Sequence, residues 1–368
     1  MDPTSGGGSP PGAAGGASAA GPRRAWPWRV GYLAALLLTA ALVLGSFVGV
    51  RIDGYERARF ADALEGRAHR PFAYRALAPA VMRGVRAFIP ERARQAADRW
   101  YAEHRSGSRA LSKLGRKVDF GRTRFSDFAI AAAVLYAAIL GFAWALRRLT
   151  RALYRPHPRF LDALTLLAVA GLPVFFRYYS HLYDLPHLFL FTLCLALLAE
   201  RRTGLYLVAF ALTCASKETA LLLVLVFALC GRLEHSPRRF AMWLGAQLVL
   251  FAGIRAALVW HFQDNPGSLV ELHLEHNLFL PPWGFAEATA LAALAVAVAR
   301  DWAAKPPLLR SALWMLAPLL AFGTLWGYLD EYRIYYEVYP VLLLLVAPTA
   351  AALVRSETPL LETRSPAA

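Results

Sequence analysis

Lys217 and Glu218 sit side by side with about twelve apolar residues on either flank. An ionisable pair in such surroundings is expensive to bury. It is either a structural pair that ties helices together or part of a site. Other reactive groups also lie against or inside apolar sequence: Asp53, Tyr74, Arg75, Arg177, Tyr178, Tyr179, His181, Asp184, His187, Glu331, Arg333 and Tyr335. The set holds carboxylates that can take a proton from a hydroxyl. It also holds cations that can face a departing phosphate where water is excluded. Arginine offers two-pronged phosphate contact and lysine a point charge. Each group alone has an ordinary reading as well. Asp53 fits an interfacial charge, Arg75 and Arg333 fit lipid-facing anchors, and Tyr332, Tyr335, Tyr336 and Tyr339 fit an aromatic belt.

Motifs of soluble enzymes are missing. The chain has no phosphate-binding glycine loop, no dinucleotide fingerprint and no nucleophile elbow. His273-Leu274-Glu275-His276 matches neither helical zinc-binding spacing, so it reads as a polar loop and no metal site is assigned. Cys194, Cys214 and Cys230 all fall in apolar runs and read as small core residues.

The elements that must position these groups are membrane helices. The 368 residues are 57% hydrophobic and 18% charged, with mean hydropathy +0.39. Soluble domains carry about 25% charged residues. The net charge of +15 does not imply nucleic acid, because the basic residues flank apolar runs, where they set orientation and meet lipid head groups. Residues 1–25, rich in Gly, Ser, Ala and Pro, read as a disordered cytoplasmic tail. Arg23, Arg24 and Arg29 precede the apolar run Val30 to Val50. That run is roughly 31 Å long as a helix, which matches a bilayer core and reads as a retained signal anchor.

Residues 51–125 read as a long outer loop carrying two or three helices. In it, Leu77, Val81, Val85 and Phe88 share one helical face, as in a helix lying on the membrane surface. Further spans are predicted near 127–146, 160–176, 185–199, 204–215, 219–231, 240–260, 284–299, 308–329 and 339–354, within a transmembrane domain covering 26–355. Residues 356–368 form a cytoplasmic tail. The fold class is therefore an all-α polytopic membrane protein of about ten transmembrane helices.

Alternation of charge supports this layout. Arg147, Arg148, Arg151, Arg155 and Arg159, then Arg201 and Arg202, then Arg232, Arg238 and Arg239, then Arg300, Lys305 and Arg310 fall in cytoplasmic loops. The outer short loops hold only Arg177, Lys217 and Arg333. The Arg-rich loop 51–125 is long enough to escape the rule. Alternation also favours two spans over one across 204–231. Both termini are expected in the cytoplasm of a cell whose inner membrane holds the chain.

The chain resembles the GT-C superfamily of polytopic glycosyltransferases, which use polyprenyl-phosphate-linked sugars. It is most similar to divergent bacterial membrane proteins at the border of that group. The shared features are an acidic residue after the first span (Asp53), the long outer loop, PFAYRALAP (Pro71 to Pro79), SKET (Ser216 to Thr219) and EYRIYYEVYP (Glu331 to Pro340). The resemblance implies Asp53 as general base or metal-binding group. It implies Arg75, Lys217 and Arg333 as ligands of the lipid phosphate, with Glu218 and Glu331 beside them. Tyr74, His181 and Asp184 are secondary candidates. A diphosphate donor would add a divalent cation; a monophosphate donor needs none. The chain departs from the superfamily in two ways: Asp53 is followed by Gly54 rather than a second carboxylate, which Glu56 or Asp184 would have to supply, and no outer domain follows the last span. The implied partners are a polyprenyl-phosphate-linked sugar, an envelope acceptor on the outer face and the bilayer. A transporter or flippase, and a non-catalytic protein of envelope assembly, are the competing readings.

Overall fold

The apolar run that begins at Val30 holds no charge and no proline, and with Trp26–Arg29 ahead of it forms helix α1 (Trp26–Gly49) in the computed structural model. The structure describes residues 26–50, 52–268, 272–279, 284–354 and 360–363. The expected tail 1–25 lies outside the described residues, as does most of 356–368. After α1 come four shorter helices, α2 (Phe60–Leu64), α3 (Leu77–Phe88), α4 (Glu91–His104) and α5 (Arg109–Gly115). They make up the expected long loop. The remaining helices are α6 (Phe125–Leu153), α7 (Pro158–Ala170), α8 (Asp184–Ala199), α9 (Thr203–Ser216), α10 (Leu221–Glu234), α11 (Pro237–His261), α12 (Leu274–Phe279), α13 (Phe285–Ala299), α14 (Pro307–Ala312), α15 (Leu316–Trp326) and α16 (Tyr339–Leu353).

Five helical stretches are long and apolar enough to cross a membrane: Trp26–Gly49, Phe125–Leu153, Pro158–Phe175, Pro237–His261 and Pro307–Trp326. Four shorter apolar helices, α8, α9, α13 and α16, run among them. The architecture is nearly all-α. Its one small sheet among the described residues pairs β1 (Tyr154–Pro156) antiparallel with β2 (Leu361–Thr363). The sequence pattern missed that pair, because three residues carry no readable period.

The loops gather at two ends of the bundle. At one end Trp28 donates to Asp162 at 2.8 Å, Arg147 pairs with Asp162, and Arg148 pairs with Glu200. The same end holds His157, which donates through its backbone to Leu360, and Thr363, which donates to the Ala304 carbonyl. At the other end Arg70 donates to the Gly267 carbonyl, Asn265 donates to Ala68, and His273 bonds Leu325 through the backbone. The first set contains the Arg-rich short loops; the second contains the Arg-poor ones and the long loop.

Helices α9 and α10 are separate. Lys217 is extended (φ −160°, ψ 149°), which stops α9, and a short 3₁₀ turn over Glu218–Ala220 relaunches the chain as α10. Each helix has 14 residues. At 1.5 Å per residue that is roughly 21 Å, short of the roughly 30 Å of a bilayer core. Ser216 and Ala220 are fully buried and Lys217 nearly so, so the turn between the two helices lies inside the bundle and carries Lys217 and Glu218 there.

Helix α3 is strongly amphipathic. Ala78 and Met82 join the core, while Val81, Val85 and Phe88 face outward and Leu77 is half-buried. The outward apolar row is what a helix lying on a membrane surface needs. His273 to His276, expected as a loop, instead enters α12. Asn277 fastens that helix by donating to the carbonyls of Gly323, Thr324 and Gly327 and accepting from the Leu329 N–H. One side chain thus satisfies backbone groups left open at the end of α15.

Candidate functional site

A 3₁₀ turn over Phe72–Tyr74 delivers Arg75 into the bundle, where the side chain is 12% exposed. Its guanidinium takes both carboxylate oxygens of Glu218 in a two-pronged contact. It also donates to the Tyr183 hydroxyl and lies 4.5 Å over that ring. Arg255, from α11, approaches the same carboxylate at 3.8 Å and donates to the Tyr74 carbonyl. Glu218 keeps 40% side-chain exposure although it lies inside the bundle, because it faces an open cavity. Burial there would raise its carboxyl, but Arg75 outweighs burial, with help from Arg255 and Lys217, and holds it down to about 2.

That cavity has a volume of about 750 Å³. Arg75, Lys217, Arg255 and Arg333 line it together with Asp184, Glu218 and Glu331. Arg333 donates to Glu331 at 2.6 Å and stands 3.8 Å from Asp184. Asp184, 3% exposed, accepts the His181 N–H on Oδ2. Its Oδ1 has no hydrogen-bond partner among the described residues. His181 stacks between Phe72 and Tyr183 behind the wall. Burial, reinforced by Arg333, Arg75 and Lys217, pushes its imidazole well below the usual range and keeps it neutral.

Beneath Lys217 lies a second carboxylate. Glu337 is fully buried, and its Oε1 accepts from Lys217 at 2.8 Å and from the Thr219 hydroxyl. His187 Nε2 stands 3.3 Å from that same oxygen and 3.1 Å from the Thr219 hydroxyl. The ammonium of Lys217 is thereby fixed in direction as it faces the cavity.

The remaining walls differ in character. Val259 on α11 and Leu319, Phe322 and Trp326 on α15 line one side, and Val259, Phe322 and Trp326 stay exposed. Tyr55, Tyr178, Tyr179 and Tyr328 line another, with His273 and His276 packed on the Tyr328 ring at 4.4 and 4.5 Å. The cavity therefore joins a charged floor to an apolar flank and an aromatic rim. No family model, curated protein or solved structure matches the chain.

The expected residues sort clearly. Arg75, Lys217, Glu218, Glu331, Arg333, Tyr74 and Asp184 all line the cavity, from four separate stretches of chain. Asp53 does not. Its Oδ1 accepts the Phe60 N–H at the start of α2, and its Oδ2 accepts the Asp119 N–H. Both oxygens fasten the long loop to the end of α1, which is a structural use of the carboxylate. Arg255, Tyr183, Thr219 and Glu337 were not singled out from the sequence. Arg255 carried a signal, as the one charged residue within the apolar run 240–260. Glu337 stood inside the EYRIYYEVYP element, but nothing in the pattern separated it from Glu331.

Proposed function

We propose that the chain is an integral inner-membrane protein, glycosyltransferase-like, that moves a sugar from a polyprenyl-phosphate carrier to an envelope acceptor at the outer face. The observation that carries this reading is the union, in one cavity, of a charged floor and an apolar, exposed flank. A lipid tail suits the flank between α11 and α15, and a phosphate suits the cations of the floor. On this reading the five long stretches, the four shorter apolar helices and α10 make ten crossings, the Arg-rich end faces the cytoplasm, and both termini lie there.

Glycosyl transfer needs a carboxylate to take the acceptor proton. We assign that role to Asp184 rather than Asp53, because Asp184 lines the cavity with one oxygen unbonded and Asp53 has both oxygens on backbone N–H groups. Lys217, Arg75, Arg255 and Arg333 offset the charge that develops on the phosphate as its bond to the sugar breaks. Glu218 and Glu331 are already bound to arginines, so the reading takes a monophosphate donor, whose phosphate the cations of the floor can meet directly.

Deletion of the gene, followed by mass spectrometry of envelope, lipid and secreted-protein glycans, tests the proposal. The expected result is loss of one sugar, restored by the wild-type chain and not by Asp184→Asn. Unchanged glycans would remove the transferase reading, and restoration by Asp184→Asn would remove the base assignment.

A further inference from the structure

A second pocket, of about 320 Å³, lies at the opposite end of the bundle from the site. Trp144, Arg147, Arg148 and Arg151 of α6 line it with Glu200, which follows α8. Two of these arginines have carboxylate partners: Arg147 holds Asp162, and Arg148 holds both oxygens of Glu200. Arg202 adds a second contact to Glu200 at 3.3 Å. Arg151 is exposed and has no carboxylate partner among the described residues, so the pocket carries surplus positive charge.

The apolar part of the pocket is equally specific. Trp144 is 50% exposed, with the Arg148 guanidinium 5.3 Å over its ring. Trp144 and Arg151 are seven residues apart, or roughly 10 Å along the helix axis. A bilayer's head-group layer adds roughly 5–7 Å on each side of its hydrocarbon core. A helix crossing such a bilayer would thus place Trp144 at the edge of the acyl chains and Arg151 at the phosphates. Two more ring–guanidinium pairs stand at this end, Arg147 over Tyr32 and Arg159 over Trp28. They are the aromatic and basic groups that a membrane–water boundary selects.

We infer that this pocket is a binding site for one anionic glycerophospholipid, its phosphodiester held by Arg151 and Arg148 and its glycerol end packed on Trp144. The inference needs only that the bundle crosses a bilayer, and it stands apart from any activity of the cavity at the other end. A free phosphate could satisfy the arginines, but it would leave Trp144 uncovered.

The test uses the full-length protein in detergent, offered phosphatidylglycerol and phosphatidylcholine in equal amounts, with retained lipids counted by native mass spectrometry. The expected result is a roughly fivefold preference for phosphatidylglycerol, since one arginine near a membrane surface is worth about 1 kcal/mol toward an anionic lipid. Arg151→Gln should bring the ratio near one without changing the melting temperature, because that side chain has no carboxylate partner to lose. Trp144→Leu should lower retention of both lipids and keep the preference. Equal retention by the wild type, an unchanged ratio in Arg151→Gln, or loss of phosphatidylglycerol in millimolar inorganic phosphate would each overturn the inference. The last result would assign the pocket to free phosphate instead.

Discussion

Helices α6 and α11 are both long and apolar, with 29 and 25 residues and peak hydropathies of 2.2 and 1.7, yet half of the most apolar stretch of α6 is buried and only 6% of that of α11. Hydropathy says that both must leave water. It does not say whether they leave it for protein or for lipid. Ala131, Ala138, Ala143 and Ala145 on α6 let neighbouring helices approach, and Gly141 touches α8 so closely that a Cβ there would stand 2.9 Å from the Phe189 ring. Helix α11 turns Val249 and Trp260 outward, 72% and 73% exposed. The candidate site straddles the two environments. Arg75 and Glu218 are held by the packed side, whereas Arg255 reaches in from the sparsely packed helix.

Breaking the packed side should cost most. Arg75→Met strips Glu218 of its two-pronged partner and should destabilise the protein by about 2–3 kcal/mol, less than for a fully buried pair because Glu218 faces the cavity. Thermal unfolding in detergent would show it, and a shift no larger than that of Arg255→Met would erase the distinction between the two sides. The same pair makes a pH test. The Glu218 carboxyl is held to about 2, below its ordinary 4.5. Its contribution is therefore complete above about 4.5 and lost as pH falls toward 2. Glu218→Gln should flatten that acid limb of the melting curve; a limb left unchanged would remove Glu218 from the balance.

Gly141→Leu comes next. It forces a side chain into the α6–α8 contact, with an expected loss of about 1–3 kcal/mol. Wild-type stability in that variant would show that the two helices can separate. Arg255→Met should cost about 1 kcal/mol or less in melting, because its contact with Glu218 is long. Its larger effect should be weaker retention of polyprenyl phosphate, read by native mass spectrometry. A full loss of fold would place α11 in the packed side after all. Smallest is Val249→Ala on the outward face of α11, expected within about 0.5 kcal/mol. A larger loss would mean that this face is covered by something other than lipid.

Much of the helical layout was legible in the pattern of apolar runs, and so was the break at Lys217, because the alternation of Arg-rich and Arg-poor loops favours two passes over one across 204–231. The row of Leu77, Val81, Val85 and Phe88 was legible from helical period alone. The role of Asp53 was not. Its neighbours in sequence give no sign that the N–H groups of Phe60 and Asp119 would take both its oxygens, since Asp119 lies 66 residues away. Glu337 was hidden for the same reason: a glutamate next to tyrosines looks like many interfacial glutamates until Lys217, 120 residues earlier, is folded against it.

By itself the sequence determined which stretches must leave water, where charges interrupt them, and which loops are rich in arginine. These follow from composition and period over a few turns. Only the tertiary structure decided which charges meet. Arg75 and Glu218 are 143 residues apart, and Arg333 and Tyr183 are 150. Such pairs are selected by the way helices pack and rotate against one another, and that packing is set by the summed shape of many small side chains rather than by any local motif.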